Sequence, residues 1–72
     1  MMSAVKPILG IIGGGQLGSM LASAAKKINI KTVVISDDEA APAKKFCDKF
    51  IYAKYNNEGK IDEFVQASNI VT

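Results

Sequence analysis

Three glycines carry the clearest chemistry in this chain. Gly13-x-Gly15-x-x-Gly18 follows the apolar run Ile8–Ile12 and opens an apolar-periodic segment. That strand–turn–helix context is what lifts the pattern above a chance match. The first glycine permits a tight turn. The second lets backbone approach a ligand with no Cβ in the way, and the third lets a helix lie close on the strand. The N–H groups of Gly15, Gln16 and Leu17 then point at whatever anion sits there, with the helix dipole behind them. A phosphate is the natural occupant. In the alternative reading the glycines serve only strand-to-helix packing.

Dinucleotides and sugar phosphates both use such a turn, and the end of the second strand discriminates between them. Dinucleotide domains place Asp or Glu there, about 20 residues on, against the ribose 2′-OH. Here that position is Ser36, and the acids Asp37-Asp38-Glu39 begin one residue later. One step along a strand reverses the side-chain direction, so the acids read equally well as a solvated loop.

Other residues offer less chemistry. The chain contains no His, Arg or Trp, which excludes a histidine general base. Cys47 is the single thiol, so there is no internal disulfide and no zinc ligand set, and at helical spacing behind Pro42 it reads as a small buried hydrophobe. Tyr52 and Tyr55 could stack a base, but they read more simply as the finish of a third strand. The lysines are spread along the chain with a net charge of +2 and form a solvated surface, not a nucleic-acid face. No apolar segment approaches the ~20 residues of a membrane span. The start of the chain superficially matches a signal peptide around Lys6, but its apolar run is too short and glycines replace the cleavage site. A reducing, cytoplasmic compartment is expected.

The elements that must position the glycine turn follow from periodicity. Ile8–Ile12 and Lys31–Ser36 are near-continuous apolar or β-branched runs, as expected of strands covered on both faces. Between them Leu17, Met20, Leu21, Ala24, Ala25 and Ile28 recur at spacings of three and four, predicting a helix that buries this stripe, with Met20 in the core and Asn29 as a left-handed stop. Pro42 predicts the start of a short second helix carrying Ala43, Phe46, Cys47 and Phe50. Residues 50–53 predict a third strand and residues 56–59 a turn. Ile61, Phe64, Val65 and Ser68 predict the inner stripe of a third helix, and residues 69–72 the start of a fourth strand. The order βαβαβαβ specifies a Rossmann-like α/β domain over residues 1–72: a parallel sheet, most simply in the order 3-2-1-4, with helices on both faces. A chain of this size buries only about 60% of its unfolded surface. It is expected to lean on a partner surface, and to be the front of something longer.

The string Ile11-Ile12-Gly13-Gly14-Gly15-Gln16-Leu17-Gly18, followed by Met20-Leu21 and Ala24-Ala25, closely resembles the beginning of the N5-carboxyaminoimidazole ribonucleotide synthetases, members of the ATP-grasp superfamily. The likeness continues through residues 30–35, Ala41-Pro42-Ala43 and residues 68–72, although Ala-Pro-Ala is also similar to the formate-dependent glycinamide ribonucleotide transformylases. The resemblance implies the N-terminal domain type that precedes an ATP-grasp domain. It implies a ligase of purine biosynthesis that carboxylates aminoimidazole ribonucleotide with bicarbonate and ATP-magnesium, through carboxyphosphate. It further implies that Gly14, Gly15, Gln16 and Leu17 contact the ribonucleotide, with the glycine turn at its 5′-phosphate. The ATP and magnesium sites and the acidic pair following the fourth strand are then expected on the ATP-grasp and C-terminal domains or beyond Thr72. The 72 residues alone are expected to be inactive, to hold no metal and no catalytic residue, and to have a homodimer as the complete enzyme. Two positions depart from the family pattern: Ser19 stands where a basic residue is usual, and Ser36 replaces the common Asp. The rival expectations are a nicotinamide-dinucleotide module of a dehydrogenase or redox-sensing regulator, against which Gln16 and Ser36 argue, and a small interaction domain whose glycines only shape the turn.

Overall fold

The computed structural model describes residues 7–71; Lys6 and Thr72 lie outside the described residues. Strands β1 (Ile8–Ile12), β2 (Lys31–Ser36), β3 (Lys49–Tyr52) and β4 (Ile70–Val71) alternate with helix α1 (Gln16–Lys27), a 3₁₀ turn (Pro42–Lys45) and helix α2 (Glu58–Ala67). The strands are parallel and lie in the order β3-β2-β1-β4. β1 pairs with β2 along its whole length, from Ile8 opposite Lys31 to Ile12 opposite Ile35. Among the described residues it pairs with β4 at Leu9 and Gly10.

β2 shows why its sequence reads as an unbroken apolar run: residues 32–36 are all buried. Their side chains alternate between two cores, as a period of two requires. Val34 joins Ile11, Ala22 and Ala43 beneath α1 and the 3₁₀ turn. Val33 and Ile35 join Ile51, Ala53 and Phe64 beneath α2. Helical elements thus cover both faces.

The helix ends follow local rules. Asn29 has φ 64° and stops α1 by entering the left-handed region that asparagine tolerates. Residues 56–59 are not a free turn, because Asn57 caps α2: its Oδ1 accepts from the Lys60 N–H at 3.2 Å, and Glu58 and Gly59 already lie in the helix. Beyond α2 the Asn69 N–H donates to the Ile8 carbonyl at 2.8 Å, and Asn69 Oδ1 accepts from the Ile8 N–H at 2.8 Å. These two bonds set β4 beside β1.

Three expectations are corrected. Most of the apolar stripe of α1 faces outward, Leu17 being 72% exposed, Met20 59% and Ile28 67%; of that stripe Ala25 is buried as expected, and it faces the sheet with Gly18 and Ala22. Small residues win that face because the helix lies too close to β1 for larger ones. The second helix is a single 3₁₀ turn, since the chain must leave it to place Phe50 in β3. In α2, Phe64 is buried, Ile61 packs on the core and Ser68 lies against Gly10 of β1 as the stripe predicts, but Val65 is 52% exposed; the Ser68 hydroxyl donates to the Phe64 carbonyl at 2.6 Å. An exposed apolar face of this kind favours association. The double variant Met20→Gln/Ile28→Gln should therefore keep its stability within about 0.5 kcal/mol, as expected at exposed sites. It should also lose any concentration dependence of its thermal midpoint, checked by melting curves over a hundredfold dilution.

Cys47 packs beside Ala43 and Phe50 at the margin of the core, and its Sγ lies 3.8 Å from the Lys44 carbonyl. Burial pushes the thiol above its ordinary value of 9.0; its own backbone N–H opposes this, and the Asp48 carboxylate adds to it. The unfolded chain therefore loses this proton first as pH climbs past 9.0. Over that window the unfolded state binds fewer protons than the native one, so stability falls with rising pH. Iodoacetamide at pH 8 should accordingly alkylate the native thiol more slowly than the denatured one.

A candidate phosphate-binding turn

The turn begins where β1 ends. Gly13 has φ 95°, a conformation that side-chain-bearing residues avoid, and its N–H donates to the Ile35 carbonyl at 2.8 Å. The backbone thereby turns sharply out of the sheet while still tied to β2. Gly14 is buried, and its carbonyl accepts from the Ala43 N–H at 3.1 Å. Gly15 is the N-cap of α1 at φ −72° and ψ −159°, so the left-handed geometry belongs to the first glycine of the pattern and not to the second. Gly18, one turn into the helix, has no room for a Cβ, which would run into the Gly13 carbonyl oxygen.

These constraints leave donors pointing outward. No side chain caps α1, and the Gly15 carbonyl accepts the helical bond from the Ser19 N–H at 2.8 Å. The N–H groups of Gln16, Leu17 and Gly18 find no backbone acceptor among the described residues. Gln16 and Leu17 are exposed beside open space, since a Cβ built on Gly15 has nothing within 4 Å, whereas Gly18 is buried. The adjoining hollow, about 380 Å³, is walled by Ile12, Gly13, Gly15, Gln16, Leu17 and Leu21. Ile12 and Leu21 were not among the residues expected here. Period-two alternation after the buried Ile11 would have turned Ile12 outward.

The electrostatics come from backbone. α1 has no acidic residue in its first turn, and Lys26 and Lys27 lie in its last, which leaves the positive end of the dipole free for an anion. Ser19 supplies no donor to the site, because its hydroxyl donates to the Gln16 carbonyl at 2.8 Å. The position is also set by topology. From β1 the chain crosses to β2 on one side and later returns to β4 on the other. The crevice at the carboxyl end of β1, where the order reverses, is where open α/β sheets receive ligands.

Of the expected contact residues, Gly15, Gln16 and Leu17 are exposed together at the helix start, whereas Gly14 lies beneath them. Tyr52 pairs with Ser36 at the end of β3, which puts it two strands from β1, about 10 Å at the usual strand spacing. Asp38 builds its own loop, its Oδ1 accepting from the Ala40 N–H at 2.9 Å. Among the described residues no three His, Cys, Asp or Glu side chains converge on a point.

The model of the ribonucleotide synthetase preATP-grasp domain matches residues 6–72. An N5-carboxyaminoimidazole ribonucleotide synthase of Staphylococcus aureus is 41% identical over 64 residues, 89% of this chain and 17% of that protein. The crystal structure of N5-carboxyaminoimidazole synthetase from Staphylococcus aureus complexed with ADP superposes with a TM-score of 0.88 at 37% identity, covering 99% of this chain and 20% of that one. The N5-carboxyaminoimidazole ribonucleotide synthetase of Thermotoga maritima gives a TM-score of 0.83 at 34% identity, over 90% of this chain and 18% of that one. The chain thus spans about a fifth of the length of the relatives it matches.

Proposed function

This chain belongs to the family of ribonucleotide synthetase preATP-grasp domains, and from that membership we propose that it is the substrate-binding front domain of an ATP-dependent ligase. The ligase carboxylates aminoimidazole ribonucleotide with bicarbonate, yielding N5-carboxyaminoimidazole ribonucleotide, ADP and phosphate. One observation carries the reading: the N–H groups of Gln16 and Leu17, which find no backbone acceptor among the described residues, lie beside a turn that leaves space over Gly15. In this role the 5′-phosphate sits at the start of α1, held by the backbone at Gly15, Gln16 and Leu17, while Gly14 holds the turn from below.

ATP and magnesium belong to an ATP-grasp domain joined in cis, which supplies the phosphoryl transfer that activates bicarbonate. Residues 1–72 supply binding and orientation, and by themselves they make no ADP. The complete enzyme works in the cytoplasm as a homodimer, and neither nucleic acid nor a membrane is its partner. Calorimetric titration with ribose 5-phosphate and with NADH tests the reading. Saturable binding of the ribose phosphate supports it. Tight NADH binding would instead mark a dinucleotide module, and binding of neither would return the glycines to packing alone.

A further inference from the structure

The glycine turn has two flanks, and the protein closes one of them with its own chain. In a dinucleotide domain the adenosine ribose lies over the carboxyl end of the second strand, beside the turn that holds the pyrophosphate. Here the loop that leaves β2 folds back onto the turn. Ser36 ends β2 with its side chain inward, 3% exposed, and its Oγ accepts from the Asp38 N–H at 3.1 Å. The Ala41 N–H donates back to the Asp38 carbonyl at 3.1 Å, and Ala41 is 3% exposed. The Ala43 N–H reaches the Gly14 carbonyl at 3.1 Å. A Cβ added to Gly14 would come within 2.6 Å of the Ala41 Cβ. The loop and the turn are therefore in direct contact, whereas the opposite flank, over Gly15 and Ile12, is open.

We infer that residues 37–43 form a specificity plug. By seating Ala41 on Gly14, the loop occupies the ribose position of a dinucleotide and admits a ribose monophosphate only from the open flank over Gly15 and Ile12. This rests on the phosphate-binding role given to the turn. Ala41 and Ala43 are positioning residues: they fix Gly14 from beneath, as the Gly13–Ile35 bond fixes the residue before it. A small side chain is required at Ala41 because there is no space between it and Gly14, whereas Ala43 reaches the turn through its backbone N–H and packs its methyl with Ile11, Ala22 and Val34.

Amide NMR of the labelled protein tests the plug in two ways. Ribose 5-phosphate should move the resonances of Gly15, Gln16 and Leu17 and leave Asp38, Ala41 and Ala43 in place. NADH should bind at least tenfold more weakly. Saturable NADH shifts running through Ser36, Asp38 and Ala41 would overturn the plug. The second arm needs no ligand. Gly14→Ala should displace the Gly15 and Ala43 resonances, and adding Ala41→Gly should restore more than half of that displacement. Should Gly14→Ala alone fail to fold by circular dichroism, the double variant should regain the fold. A double variant as displaced, or as unfolded, as the single one would show that Ala41 does not seat on the turn. If ribose 5-phosphate moves nothing while the exchange rescues, the phosphate reading falls and the loop–turn contact stands.

Discussion

Gly18→Ala should cost about 3 kcal/mol, the upper range for forcing atoms into a filled site, although alanine is worth up to about 1 kcal/mol more than glycine inside a helix. The added methyl meets the Gly13 carbonyl oxygen, which is backbone and not a flexible side chain. Gly13 cannot yield easily: it is held at φ 95° and its N–H is bonded to Ile35. The helix would have to lift from β1, withdrawing Ala22 from the core it shares with Ile11 and Val34. A single core below roughly 70–80 residues seldom supplies more than ~3–5 kcal/mol, so most of the stability would go. Gly15→Ala is the control. Its Cβ enters open space at a negative φ, and the loss should stay near 1 kcal/mol or below, the scale of an N-cap change. Urea unfolding of the two variants in parallel checks the contrast; equal midpoints would show that the close approach at Gly18 is not rigid.

On the proposed role, Gly15→Val should weaken ribonucleotide binding by a complete ligase carrying this domain well over tenfold, more than ~1.4 kcal/mol, while leaving ATP affinity unchanged. A Cβ at Gly15 enters open space, so the effect is expected to fall on the ligand whose phosphate the proposed role brings there. Gln16→Ala keeps every backbone donor and should cost about one hydrogen bond, ~0.5–1.5 kcal/mol. Circular dichroism establishes that the valine variant is folded. Equal losses in the two variants would shift the grip from the backbone to the Gln16 side chain.

Much of this was legible in the residues. The glycine spacing, the unbroken run of β2, Asn29 as a helix stop and Pro42 as the start of a helical turn each have a local cause, and each appears where that cause puts it. Apart from Ala25, the α1 stripe was not legible, because periodicity finds an apolar face without saying what covers it. Gly18, Ala22 and Ala25 also recur at spacings of three and four, and a glycine that lets a helix lie close implies that the small-residue face is the inner one. Phe50 fitted helical spacing behind Pro42 and strand spacing before Ile51 equally well; pairing with Val34 in the sheet decided it. The contact of Ala41 with Gly14 depends on the fold of a loop, which carries no periodic signal at all.

The phosphate role of the glycine turn is tested most directly by following the Gly15, Gln16 and Leu17 amides while the protein is titrated with aminoimidazole ribonucleotide and, separately, with its riboside lacking the 5′-phosphate. Saturable shifts at these three amides with the ribonucleotide, lost with the riboside, are the expected result. Identical shifts with both compounds, or ribonucleotide shifts that bypass the start of α1, would contradict it.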